Sequence, residues 1–102
     1  MKVRVRTTRQ ADEQALRVAD WWREHRTAAP TVFVDELVGA IALLEDAPDI
    51  GRRYRRAKVP GLRRLLLPRS AHHVYYVHDA TAGEVVLLAM WAAVRRAGVP
   101  LH

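Results

Sequence analysis

Between Gly61 and Val77 the chain reads GLRRLLLPRSAHHVYYV, two strand-length apolar runs broken by Pro68-Arg69-Ser70-Ala71. Four residues containing a proline and a serine suffice for a hairpin and are too few for the crossover that parallel strands need. The stretch therefore predicts an antiparallel pair around which the other segments must pack. Strand alternation puts Leu62, Arg64 and Leu66 on one face and Arg63, Leu65 and Leu67 on the other. Each face then carries a guanidinium group among apolar neighbours, which calls for an explanation.

The flanking segments supply the remaining elements. Val3 and Val5 alternate with Lys2, Arg4 and Arg6 as in a strand with one buried face. Thr7 and Thr8 offer a helix N-cap, with Asp12 and Glu13 suitably acidic behind it. Ala11, Ala15, Val18, Ala19 and Trp22 recur at helical spacing opposite a polar face that includes Gln14, and the helix is expected to end near His25 or Arg26. After Thr27–Thr31, with Pro30 near the next helix start, Phe33, Leu37, Ala40, Ile41 and Leu44 form a second stripe stopped by Pro48 and Gly51. So short a connection predicts an antiparallel helical hairpin. Glu84 to Trp91 (EVVLLAMW), behind the polar turn Asp79–Gly83, is apolar on both faces, as in a strand buried inside a sheet.

The expected architecture is one α+β domain spanning 1–102: an N-terminal strand, then a helical hairpin on one face of a mostly antiparallel sheet of four to five strands. The other face has no helix to cover it. There Arg55, Arg63 or Arg64, and one histidine of the His72/His73 pair are expected to converge on an open basic surface. Because His72 and His73 alternate in direction, the other one is expected in the core or hydrogen-bonded.

Charge is unevenly placed. Residues 1–49 hold seven Lys or Arg against nine Asp or Glu, residues 50–78 eight against none, and residues 79–102 two against two. The densest part, Arg52-Arg53-Tyr54-Arg55-Arg56-Ala57-Lys58, lacks apolar alternation and suits an edge strand, where charge deters unwanted pairing. Such a block attracts an anionic partner, either nucleic acid or an acidic protein segment. With no cysteine there is no thiolate metal site or disulfide, and no metal or other cofactor is expected. No apolar run approaches a membrane span of about 20 residues. MKVRVRTTRQ lacks a signal peptide's apolar middle, so a cytoplasmic location is expected.

Trp21 and Trp22 are adjacent, about 100° apart on the helix, so they do not share one face. Trp22 lies on the apolar stripe. Trp21 lies off it, either in the seam between the helices or as an anchor for a partner.

The succession of Trp21-Trp22, the Phe33 to Leu44 stripe, Gly61-Leu62-Arg63-Arg64, His73-Val74-Tyr75-Tyr76, and Trp91 with Arg95-Arg96 resembles the RelE/ParE toxin superfamily of bacterial type II toxin-antitoxin systems. It looks closest to the ParE-like branch, and the likeness runs from Val3 to Leu101. It implies a toxin neutralised by a cognate protein antitoxin, with Trp21, Trp22, Arg53 and Arg69 as the expected antitoxin contacts. Operator DNA would be met only through the antitoxin complex.

The resemblance allows two targets. ParE-like members inhibit DNA gyrase, and Arg55, Arg56, Arg63, Arg64, Trp91, Arg95 and Arg96 are the expected contacts. RelE-like members cleave mRNA on the ribosome, and Arg63, Arg64, Arg95 and His73 are the residues that would act at the phosphate. Many such RNases use a C-terminal tyrosine, whereas no tyrosine follows Tyr76 here. Arginine is also a poor proton donor or acceptor. The resemblance therefore favours the gyrase inhibitor, a binding protein rather than an enzyme. A non-toxic basic nucleic-acid-binding domain is the remaining alternative.

Overall fold

The structure, a computed structural model, describes residues 2–93. In chain order the elements are β1 (Arg4–Thr7), α1 (Arg9–His25), α2 (Val32–Asp46), β2 (Arg52–Arg53), β3 (Arg63–Leu67), β4 (His72–Asp79) and β5 (Glu84–Ala92). The five strands form one sheet in the order β1-β5-β4-β3-β2. Only the β1–β5 pairing is parallel.

Both helices pack on one face of this sheet. Ala11, Ala19, Phe33, Ala40 and Leu44 from the helices meet Leu67, Val74, Tyr76, Val85, Leu87 and Met90 from the strands in a single buried cluster. Val5, Ala15, Val18, Trp22, Leu37 and Ile41 close its margins. The stripes and alternations expected from the sequence are thus the ones buried. Thr8 caps α1, its hydroxyl accepting from the Ala11 amide at 3.2 Å. The β3–β4 connection is Pro68–Ala71, with Ala71 at φ 55°.

Two polar side chains were not legible as core. Gln14, expected on the polar face of α1, is buried, and its Oε1 accepts from the Met90 amide at 2.8 Å. The reason is topological: β1 ends opposite Leu87, so beyond that point β5 has lost its strand partner on one side. Thr8 Oγ1, donating to the Leu88 carbonyl, and Gln14 take over its backbone bonding. Glu36 similarly leaves the helix surface to accept from the Arg69 and Ser70 amides at 2.8 and 2.7 Å, tying α2 to the β3–β4 turn.

A bulge adjusts β5 to both of its faces. Tyr75 opposes Ala89 while Tyr76 opposes Leu87, leaving Leu88 as the extra residue. Leu87 and Met90 can then both face the helices, and Ala89 lies under Tyr75 on the other side.

That second face departs from expectation in one respect. It carries no helix, yet it is not bare. Beyond Arg53 the basic segment leaves the sheet, and Tyr54, Ala57, Val59 and Leu62 fold over Tyr75, Val77, Ala89, Leu88 and Trp91 as a small second core. The expected edge strand shrinks to Arg52–Arg53, because the Tyr54 amide donates to the Leu62 carbonyl at 2.9 Å and turns the chain into an arm.

Candidate functional site

The two arginines of Gly61-Leu62-Arg63-Arg64 separate, as a strand's alternation requires. Arg64 faces the second side, its guanidinium 4.9 Å from the centre of the Tyr54 ring. Tyr54 in turn meets Tyr75 edge to face at 5.2 Å, and Tyr75 meets His73 at 5.9 Å. Arg52 pairs with Arg64 across the ladder and shares its face. Arg52, Tyr54, Arg64, His73 and Tyr75 therefore form a continuous aromatic and basic strip.

Burial, helped by Arg64 and then His72, holds the His73 imidazole below its ordinary pKa of 6.5. At neutral pH it is an uncharged ring, able to accept a proton beside a fixed positive charge. His72 is the inward member of the pair: its Nδ1 lies 2.8 Å from the Ser70 carbonyl and its ring packs edge-on against Phe33.

Of the two arginines expected as alternatives on this surface, Arg63 is the one that does not join the strip. It turns to the helix side, where it donates to the carbonyls of Asp49 and Gly51 at 3.1 and 2.8 Å and lies 3.7 Å from the Asp49 carboxylate. His78 Nδ1 is 2.8 Å from the same carboxylate. The hydrogen bond with His78 is the largest cause holding Asp49 below its ordinary 3.8. Beside them the buried Tyr76 hydroxyl accepts from the Gly51 amide at 2.8 Å, and burial raises the Tyr76 phenol above its ordinary 10.0. This cluster pins the α2–β2 loop and so fixes where the basic arm begins.

Arg55 and Arg56 are exposed on the arm, with Lys58 beside them. Trp91 is half-buried where the second core meets the end of β5. Arg95 and Arg96 lie outside the described residues, so the role expected of Arg95 at a phosphate has no geometry here.

A separate groove of about 690 Å³ runs between α1, the β3–β4 turn and the end of β5. Val18, Trp21, Trp22, Met90 and Trp91 supply its apolar surface, and Arg17, Arg26 and Arg69 its charge, with no carboxylate among the described residues of the lining. Trp21 is 44% exposed and packs on its own helix, with His25 stacked at 4.8 Å and the Arg26 guanidinium 5.4 Å from its centre. It therefore does not fill the seam between the helices. Ser70 also lines the groove, and its buried Oγ has no hydrogen-bond partner among the described residues. Trp21, Trp22 and Arg69 thus come together, whereas Arg53 lies apart from them, beside the basic arm. The sequence carried no signal for the groove itself, which depends on Glu36 drawing the turn against the helices.

Among the described residues no three His, Asp or Glu side chains gather as a metal site, and no helix is long and apolar enough to cross a membrane.

No family model matches the sequence, and no curated protein matches it. Solved structures do share its fold. A chain of the chromosomal ParDE toxin-antitoxin system from P. aeruginosa aligns with a TM-score of 0.68 at 20% identity, covering 89% of this chain and 96% of that one. A chain of the RelBE2 toxin-antitoxin complex from Mycobacterium tuberculosis aligns at 0.66 and 19% identity, covering 90% and 99%. One from the intact E. coli RelBE complex aligns at 0.61 and 15% identity, covering 91% and 99%. The fold is thus shared with chains of ParDE and RelBE toxin-antitoxin systems over 89 to 91% of this chain.

Proposed function

We propose that this chain is the toxin of a type II toxin-antitoxin pair, neutralised by a protein antitoxin and acting on DNA gyrase as a binding inhibitor. The observation that carries the toxin reading is the correspondence of its fold, over 89 to 90% of the chain, with chains of the ParDE and RelBE systems. The antitoxin is assigned to the groove at Trp21, Trp22 and Arg69, where an exposed indole and arginines with no carboxylate partner among the described residues suit an acidic segment with an apolar anchor. The target is assigned to the second face, with Arg64 at its centre and Arg55, Arg56 and Trp91 around it. Arginine outnumbers every proton-transferring group there, which suits recognition better than catalysis.

The test is a supercoiling and cleavage assay with purified gyrase. Inhibition relieved by a stoichiometric antitoxin supports the proposal. Unaffected gyrase, together with a toxic phenotype in cells, would leave the toxin reading and remove the gyrase one.

One observation favours a second reading, a ribosome-dependent mRNA endonuclease. His73 is held uncharged beside Arg64, and a neutral imidazole next to a phosphate-binding cation is an arrangement able to take a proton from a ribose hydroxyl. Codon-dependent mRNA cuts that vanish with His73→Gln would decide for it.

A further inference from the structure

The backbone of the β3–β4 turn holds Ser70 firmly. Its amide donates to Glu36 Oε1 at 2.7 Å, its carbonyl lies 2.8 Å from His72 Nδ1, and Ala71 behind it is at φ 55°. The side chain has no comparable role within the chain. Ser70 is only 7% exposed, and its Oγ, on the lining of the groove beside α1, meets no hydrogen-bond partner among the described residues. A buried hydroxyl in that state disfavours the fold, and alanine at the same place would remove the penalty. A group that works against the fold and lines a groove gains its bond from whatever fills the groove.

The surroundings select that occupant. A hydroxyl can donate or accept, so charge decides between the two. Arg17, Arg26 and Arg69 line the same groove, and none of them has a carboxylate partner among the described residues. A lysine is repelled there, and a neutral carbonyl leaves the guanidinium charge unopposed. A carboxylate meets both demands, accepting from the Ser70 hydroxyl while it offsets the arginines. Its carrier must be apolar on either side, because Val18, Trp22, Met90 and Trp91 form the rest of the surface.

We infer that Ser70 Oγ, with Arg69 beside it, is a carboxylate-recognition point in the groove, filled by one Asp or Glu side chain of the antitoxin set between apolar neighbours. The inference rests on the antitoxin reading of this groove and adds to it the residue that reads the acid.

Two synthetic peptides test it on the full chain, acetyl-Ala-Leu-Glu-Leu-Ala-amide and its counterpart with Gln in place of Glu. Binding is followed by NMR at the indole N–H signals of Trp21, Trp22 and Trp91. The parent chain is expected to bind the Glu peptide at least ~10-fold more tightly than the Gln peptide. Ser70→Ala is expected to lose about 10-fold for the Glu peptide and less than about twofold for the Gln peptide. Arg69→Gln should lose affinity with the same selectivity, and Arg9→Gln, outside the groove, should lose none. Ser70→Ala should also unfold at the same or a higher urea midpoint than the parent, because the hydroxyl it removes had no partner. A lowered midpoint would show the hydroxyl to be structural and overturn the inference. Equal binding of the two peptides would overturn it too, as would equal binding of the Glu peptide by the parent and Ser70→Ala. Hexanoate binding as tightly as the Glu peptide would overturn the assignment to a protein segment in favour of a small free acid. Binding of neither peptide by the parent chain would overturn the antitoxin reading of the groove together with the inference.

Discussion

The guanidinium of Arg64 lies over the ring of Tyr54, 4.9 Å from its centre, while the preceding residue in the chain points through the sheet to the opposite side. Arg63 there holds two loop carbonyls. Adjacent, chemically identical residues thus have different work. Arg63→Ala is expected to destabilise the fold by about 1 to 3 kcal/mol, because it strands carbonyls that a charged donor satisfied. Arg64→Ala is expected to change stability by less than about 1 kcal/mol, the scale of an exposed cation–π contact, and to lose target inhibition. Denaturant unfolding beside a growth or gyrase assay separates the two. Equal stability losses would show that Arg64 is also structural.

Gly51 is required by Tyr76. A Cβ added at residue 51 would meet the Tyr76 hydroxyl at 2.6 Å and the Arg64 carbonyl oxygen at 2.9 Å. Gly51→Ala should therefore cost about 1 to 3 kcal/mol through overpacking. Tyr76→Phe should cost about 1 to 2 kcal/mol by leaving the Gly51 amide without its acceptor. Because both act at one contact, their double variant should cost less than the sum. Strict additivity in urea denaturation would contradict the contact.

Trp21 should matter to a partner and not to the fold. It is 44% exposed, and its ring contacts are with its own helix and Arg26. Trp21→Ala is expected to leave the unfolding midpoint nearly unchanged and to weaken antitoxin binding by about 2 kcal/mol or more, the range of an aromatic anchor. Calorimetric titration checks this, and unchanged affinity would remove the groove from the interface.

Two groups predict how stability responds to acid. Burial depresses the folded pKa of His73 below its ordinary 6.5, so the unfolded chain takes up that proton first. Its contribution is present above pH 6.5 and is lost as pH falls through the lower folded value. Asp49, held below its ordinary 3.8, contributes above that value and loses the contribution in stronger acid. Between about pH 7.5 and about pH 5.5, His73→Gln should therefore lose less stability than the parent chain. Parallel losses would show that the imidazole does not titrate in that window.

Most of the fold was readable because it rests on periodicity. Ala11, Phe33, Leu44, Val74 and Tyr76 are buried, and Val18, Trp22 and Leu37 partly buried, where a period of 3.6 or 2 places them. What the sequence hid is long-range. Gln14 joins the core because β1 stops short of β5, and Glu36 binds a turn more than thirty residues away. Gln14 did leave a trace, since it falls between Ala11, Ala15 and Val18 on the helical wheel.

The candidate site was legible in its charge and not in its geometry. Alternation separates Arg63 from Arg64, but it does not say which face the helices take. Nothing in the basic run signals that Tyr54 and Leu62 would bend it into an arm over the second face.

The central claim is that the basic face centred on Arg64, which carries an arm and no helix, makes this chain a toxin. Counting viable cells after induced expression of the parent chain and of Arg64→Ala, at matched protein levels, tests it most directly. The account predicts a sharp loss of viability with the parent chain, restored by co-expressed antitoxin and largely absent in the variant. Full viability with the parent chain, or equal killing by both, would contradict it.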